Sequence, residues 1–480
     1  MINTNKVGPI VGHTKSDVSK IWIKGEKFDE NDSKLCIGTL DLYDNQQNYQ
    51  YSKIVFLENY YDYTGVILVD GLNASSFYHF QTGIFYRDSK ENLDISIKYN
   101  HPFGTEGERV AGSFTTAPTD GDGNTLQFAF GSCRSNILKK DPLKGDRTFQ
   151  SLNILKENNK LDLVLMTGDQ IYSDIHGPIN KINSEDEFYE EYKRAFSTPN
   201  IRKLMQNVPT YMIWDDHEIR NDWSKDKMYD PKLKQEDIAN NKMIYGFAKS
   251  AYYSYQHLHN PTTSKAKNSN EKFWYEFVYG KFPFFVMDTR SYRFKKDYEQ
   301  KGISKTMLGE EQLKDLLTWI EKNKDAPVKF IVSSNPFFPD KKDKDNTELW
   351  GHFSEERKQI LDCLYSNNCN NTIILSGDIH NSAVSILEHR DNHFKVVNLI
   401  SSPFYWGAYF EDFEFLYEKE KELYDGEYKY TTSKMYGQSD LFMHVDVNLE
   451  RNPIVLAQIY NGKPENSGTL KTITNPIAIY

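Results

Sequence analysis

Four residues stand where long apolar runs stop, and each carries a side chain that binds cations. Cys133 closes "TLQFAFGSC", Asp169 closes "LDLVLMTGD", Asp216 lies in "VPTYMIWDDHE", and Asp378 lies in "NTIILSGDIH". In open α/β sheets, ligands collect outside the carboxyl ends of strands. If these strands are neighbours, three carboxylates and a thiol converge. Like charges that close repel unless cations sit among them. Tyr172, His217 and His380 join the set by local spacing. One turn of helix after Asp169 would return the Tyr172 phenol to its carboxylate. An extended tip would project Asp378 and His380 the same way. Taken singly, each motif has an ordinary reading: Asp169 as a helix cap, Cys133 as packing, "DDHE" as a loop salt-bridged to Arg220. Taken together they point to a metal site. "GSC" lacks the partners of a serine or cysteine nucleophile, so the chemistry expected of such a site is attack by water that metal ions have activated.

The elements that must position these residues change character along the chain. Residues 1–118 hold short β-rich runs such as "SKIWIKG", "YTGVILVDGL" and "SFYHFQTGIFYR", broken by Asn, Asp, Gly and Pro. That rhythm predicts a small all-β sandwich. "TTAPTDGDGN" marks a boundary, which leaves 119–480 as a second domain. There, fully apolar strands alternate with helical stretches such as "FQSLNILKENN", "GEEQLKDLLTWIEKN" and "SEERKQILDCLYSN", the pattern of an α/β sheet buried on both faces. The charged segments 222–237 and 338–346 read as solvated loops. The 480 residues carry a net charge of −10, which excludes a sequence-independent nucleic-acid coat. Four cysteines make no disulfide framework. No apolar run reaches the length of a membrane span. The start "MINTNKVGPIVGHT" lacks a basic segment followed by an apolar one, so the expected location is cytoplasmic.

In order, "GSC", "GDQIY", "WDDHE", "MDTRSYR", "LWGHFSEER" and "GDIH" resemble the PhoD-like alkaline phosphatase D family of the calcineurin-like metallophosphoesterases. The runs "VGPIVGHTKSDVSKIWIKG" and "SFTTAP" resemble the fibronectin-III-like domain that precedes many members. The resemblance implies a four-layer α/β/β/α catalytic sandwich after a small all-β domain, and a mixed centre of Fe3+ with Ca2+. The donor types fit that division. Thiolate Cys133, phenolate Tyr172 and imidazole His380 suit a transition metal; Asp216 and Asp378 offer hard oxygens that suit Ca2+, with Mg2+, Mn2+ or Zn2+ as alternatives; Asp169 would bridge. The implied activity is hydrolysis of a small-molecule phosphate ester by metal-activated hydroxide. A phosphodiesterase or phospholipase-D-like enzyme on the same site is one alternative, and a non-catalytic binding protein with a decayed site is another. The complete ligand set argues against decay. By the same resemblance His217 would donate a proton to the leaving alkoxide or hold the phosphoryl group. Arg134 and Asn221 are candidate phosphate contacts. Arg290 stands either in an ion pair with Asp288 or against substrate. The pocket mouth is expected to draw on 174–200, 222–241, 338–352 and 405–437.

Overall fold

The computed structural model describes residues 7–28, 34–88, 98–100, 109–135, 143–174, 182–261, 272–343, 346–391, 394–407, 414–465 and 468–480. Parts of the expected pocket mouth (175–181, 344–345 and 408–413) lie outside the described residues.

Alternating apolar residues put the first seven strands into two antiparallel sheets. One pairs β1 (Ile10–Thr14), β2 (Val18–Lys24) and β5 (Thr64–Asp70). The other orders β4 (Tyr49–Leu57), β3 (Leu35–Tyr43), β6 (Phe77–Arg87) and β7 (Val110–Thr115). Val11, Ile21 and Ile67 meet Leu40, Leu42, Phe80 and Phe114 in one buried cluster, which makes this an all-β sandwich.

After a turn at Thr119–Asp122, two larger sheets follow. The first runs β11 (Thr210–Met212), β10 (Leu163–Met166), β8 (Thr125–Gly131), β21 (Leu441–Asn448) and β22 (Val455–Asn461), with β23 (Lys471–Thr472) and β24 (Ile477–Ala478) on β22. β8, β10 and β11 are parallel. The second runs β12 (Tyr275–Tyr279), β13 (Phe282–Val286), β14 (Lys329–Ser333), β15 (Thr372–Ser376), β17 (Lys395–Ile400), β16 (Ala383–His389), β20 (Tyr428–Thr432) and β19 (Glu420–Leu423). β13, β14, β15 and β17 are parallel. A short parallel pair, β9 (Arg134–Ser135) with β18 (Tyr405–Trp406), sits beside the first sheet's tips.

The period-2 side-chain pattern shows the layering. Phe284, Phe330 and Ile373 share a core with Phe128 of the first sheet, and Phe128 meets Phe284 and Phe330 edge-on at 5.8 and 5.1 Å. Their strand neighbours Phe285, Ile331 and Ile374 pack instead with Leu316, Trp319, Ile360 and Leu361, from α6 (Glu310–Lys322) and α7 (Ser354–Ser366). On the first sheet's side lie α1 (Arg147–Glu157), α2 (Glu185–Phe196), α3 (Pro199–Met205), the short α4 (Asp226–Tyr229) and α5 (Gln235–Tyr252). The result is the expected α/β/β/α order. Segment 222–237 departs from its expectation: it holds α4 and the start of α5, with Trp223 fully buried. In 338–346, Phe338 is buried and Asp340 pairs with Arg357. The four cysteines are unbridged, and among the described residues no helix is long and apolar enough to cross a membrane.

The β-sandwich is fastened to the turn Tyr253–His257 that continues α5, a wide π-type turn. Trp22 is fully buried and its indole N–H donates to the Ser254 carbonyl at 2.7 Å. His13 N–H donates to the His259 carbonyl at 2.8 Å. Lys20 donates to the Asn260 carbonyl at 2.6 Å, while the Asn260 side chain pairs with both backbone groups of Met212 on β11. Trp22→Ala should therefore lower the unfolding free energy by about 3–5 kcal/mol. Guanidinium denaturation checks this; a change under about 1 kcal/mol would mean that the contact is not part of the folded core.

Candidate metal centre

The carboxyl ends of β8, β10 and β11 point to one edge, and those of β13, β14 and β15 to the same edge from the facing sheet. Glycine permits the close approach of the loops there. Gly168 has φ +118°, and a Cβ on it would lie 2.6 Å from the Asp215 Cβ. A Cβ on Gly377 would collide with the Ser132 side chain. The residues after these turns are themselves strained. Cys133 (φ 57°), Asp169 (57°), Asp378 (68°) and His380 (54°) all occupy the left-handed region, which is unfavourable for non-glycine residues and concentrates at functional sites.

These turns bring the acids together. Asp169, Asp215, Asp216 and Asp378 each present an oxygen within 4.8 Å of the others, and Asp169, Asp216 and His217 form an overlapping group. Cys133 Sγ lies 3.4 Å from Asp169 Oδ2 and 3.5 Å from the Asp378 carbonyl. The Tyr172 hydroxyl lies 3.3 Å from the same Asp169 Oδ2. Tyr172 reaches it without the expected helix: residues 170–174 form a turn, and the left-handed Asp169 redirects the chain. Nor is the Asp378–His380 tip extended, since both residues have positive φ. His380 stacks on Trp406 at 3.9 Å, and Tyr172 packs on Trp406 at 5.6 Å and on His217 at 4.3 Å. Cys133, Asp169, Tyr172, Asp216, His217, Asp378 and His380 thus line one edge.

Burial, then the charges of Asp169 and Asp378, pushes the Cys133 thiol well above its ordinary range. Burial and Asp169 do the same to Tyr172. Burial pushes Asp169 up too; the nearby Asp216, Asp215 and Glu218 add to that, and His217 opposes it. Burial and then Asp216 raise Asp378. For His217, burial opposes a positive charge, but Asp216, Asp169 and Asp174 override it and raise the imidazole well above its usual value. Asp216 is the exception: burial opposes its charge, but Arg290 and His217 hold its carboxyl below the usual range. A thiol, a phenol and the carboxyls of Asp169 and Asp378, all made to resist ionising, are groups that multivalent cations deprotonate and hold. The donor set therefore fits a metal centre.

Several contributors escaped the sequence reading. Glu218 is fully buried and accepts four hydrogen bonds, from the backbone N–H groups of Asp169 (2.9 Å), Gln170 (2.7 Å) and Asp215 (2.8 Å) and from Gln256 Nε2 (3.0 Å). It ties the loop after β10 to the loop after β11. Asp174 accepts from His217 Nδ1 at 2.8 Å, which leaves Nε2 as the nitrogen available to the site. Asn335, at the end of β14, donates to Asp378 Oδ2 at 3.0 Å. Trp406 is carried in by β18, whose pairing to β9 sets it beside Cys133. In "DDHE" the residue types of Asp215 and Glu218 carry the same signal as Asp216 and His217; Asp174 and Asn335 carry none beyond residue type.

Two candidate substrate contacts need correction. Arg134 is buried and spends its guanidinium on the carbonyls of Gly145 and Ala195 and on Thr198 Oγ1 (2.8 Å), so it braces loops. The Arg290 guanidinium is also buried, and it pairs with Asp215, Asp216 (3.4 Å) and Glu348 (2.9 Å). It makes no ion pair with the Asp288 carboxylate, whose Oδ1 accepts from Trp214 Nε1 and the backbone N–H groups of Arg290 and Ser291. Asn221 is exposed; its N–H donates to Asp174, and its residue lines an open pocket beside His217.

Fold and site together define a metallophosphoesterase-like protein. More particularly, the chain belongs to the PhoD-like phosphatase family, whose model matches residues 128–444. Alkaline phosphatase D of Bacillus subtilis (strain 168) is 22% identical over 338 residues, covering 62% of this chain and 53% of that protein. The match therefore spans about half the length of that curated relative. A solved structure of PhoD superposes with a TM-score of 0.70 at 17% identity, covering 98% of this chain and 92% of that one. Purple acid phosphatase from yellow lupin (Lupinus luteus) seeds gives 0.57 at 12% identity, covering 97% and 73%. At these identities the structural likenesses speak for the fold.

Replacing Glu218 by Gln turns an N–H group toward backbone donors it now accepts from. The expected cost is about 1–3 kcal/mol, with weaker metal retention on dialysis. Chemical denaturation and elemental analysis of Glu218→Gln check this; values equal to wild type would show that the clamp does not hold the site.

Proposed function

We propose that the protein is a metal-dependent phosphoric ester hydrolase acting on phosphate monoesters. The observation that carries this reading is the buried convergence of Asp169, Asp216 and Asp378, with Cys133 and Tyr172 against one oxygen of Asp169. Family membership and the fold support it. Cys133, Tyr172 and His380 would hold Fe3+, Asp216 and Asp378 would hold Ca2+, and Asp169 would be shared. Bound there, such ions supply Lewis-acid charge that polarises the phosphoryl group and acidifies a water molecule.

The chain's own residues complete the chemistry. Asp174 orients His217 through Nδ1, so Nε2 gives its proton to the departing alkoxide. Tyr172 packs on the His217 imidazole and Trp406 on that of His380, which fixes the orientation of both rings. Arg290 fixes Asp215 and Asp216 from behind. The β-sandwich, read as fibronectin-III-like and ending near residue 118, braces the α5 turn whose Gln256 supports Glu218.

Metal-replete protein should turn over p-nitrophenyl phosphate faster than bis-p-nitrophenyl phosphate; the reverse order makes it a phosphodiesterase. Replacing His217 by Ala should lower kcat by roughly 100- to 10,000-fold. Tyr172→Phe should lose a visible absorption band, and Cys133→Ala should retain less iron. Full activity in His217→Ala, or a Tyr172→Phe spectrum equal to wild type, would refute these roles.

A further inference from the structure

The pocket beside His217 points to the kind of alcohol the substrate carries, an inference that rests on the phosphoesterase reading. It is open on one side, has a volume of about 470 Å³, and has His217 and Asp174 at its wall, within the size range of small-molecule sites. Among the described lining residues His217 is the one that also lines the metal edge, so the imidazole that would protonate the leaving oxygen is what the two spaces share.

The other lining residues are mostly polar or charged by type, Arg220 among them, although carbon atoms of these side chains make up much of the wall. Asn183, Asn221, Asn240 and Asn241 contribute four side-chain amides, Lys227 an ammonium, and Ile244 the one apolar side chain among the described lining residues. The amide of Asn241 is anchored, donating to the Lys227 carbonyl at 2.8 Å, and the Lys227 ammonium donates to the Asn221 carbonyl at 2.6 Å. The side-chain amides of Asn183, Asn221 and Asn240 make no hydrogen bond among the described residues. Each offers two donors and an acceptor, which pair with hydroxyl groups in either direction. Asn240 and Asn241 are successive residues inside α5, where Asn is a poor helix former. Their place is not explained by the stability of that helix.

We propose that this pocket receives the leaving alcohol and selects a hydroxyl-rich, sugar-like alcohol over an apolar one of the same length. A site built to hydrogen-bond hydroxyl groups discriminates against the analogue that lacks them far better than an apolar site discriminates against the one that has them.

Glucose 6-phosphate and n-hexyl phosphate test this, because both are six-carbon primary phosphate esters and differ chiefly in hydroxyl groups. In metal-replete wild type, kcat/KM for glucose 6-phosphate should exceed that for n-hexyl phosphate at least tenfold. Asn240→Leu and Asn183→Ala, made separately, should each shrink that ratio by roughly two- to tenfold, the worth of one lost hydrogen bond. A wild-type ratio near one, or a ratio that both folded variants leave intact, overturns the pocket assignment while p-nitrophenyl phosphate turnover leaves the phosphoesterase reading standing. No turnover of any of the three esters overturns that reading and this inference with it.

Discussion

Mutual repulsion among Asp169, Asp215, Asp216 and Asp378, held within 4.8 Å of one another, governs how this chain is built. Two like charges at that distance repel by about 3 kcal/mol at the effective dielectric of a protein site. Arg290 pairs directly with Asp215 and Asp216, and reaches Asp378 only at longer range. Folding nevertheless fixes all four. It does so with four left-handed non-glycine residues, with glycines whose Cβ would collide with the opposite loop, and with one buried carboxylate, Glu218, accepting three backbone N–H groups. An arrangement so unfavourable by itself is accounted for by multivalent cations that reverse the local field.

The rest of the fold reads as support for that edge. Two facing sheets each deliver three strand ends. One contributes the loops of Cys133, Asp169 and Asp216, and the other those of Asp288, Asn335 and Asp378. The outer helices seal the sheets, and Phe128, Phe284 and Phe330 lock them face to face. The β-sandwich reaches the centre by a longer route. Trp22 holds Ser254, the same π-type turn carries Gln256, and Gln256 donates to Glu218. Asn260, two residues beyond that turn's next contact at Leu258, pairs with the Met212 backbone two residues before Trp214. Strain at the metal loops is thus balanced by hydrogen bonds rooted in a neighbouring layer.

The strand ends were legible in the sequence because uninterrupted apolar runs stop abruptly at Gly-Asp, Asp-Asp and Gly-Ser-Cys, and a doubly buried strand leaves no other pattern. Strands alternating with amphipathic helices signal a sheet covered on both faces; the four-layer order was implied by the family resemblance and not by that pattern. What stayed hidden depends on partners far away in the chain. Asp174 matters because His217 folds back on it across 43 residues, and Asn335 because it meets Asp378 across 43 more. Arg134 looked like a phosphate clamp from its place after Cys133, yet burial and the carbonyls of Gly145 and Ala195 claim it. The Tyr172 helix and the extended Asp378–His380 tip failed for one cause: local propensity does not anticipate residues forced to positive φ. The chain beyond 405 gave little signal, since its two-residue strand at Tyr405–Trp406 acts through a single aromatic side chain.

Crystals of the metal-replete protein, measured by anomalous diffraction above and below the iron edge, test the central claim most directly. The predicted result is two cation peaks at the strand-end edge. An iron peak should lie in contact with Cys133, Tyr172 and His380, and a second, lighter cation with Asp216 and Asp378, both touching Asp169. No peak at this edge in protein that elemental analysis shows to carry metal, or peaks that Asp169 does not touch, would contradict it.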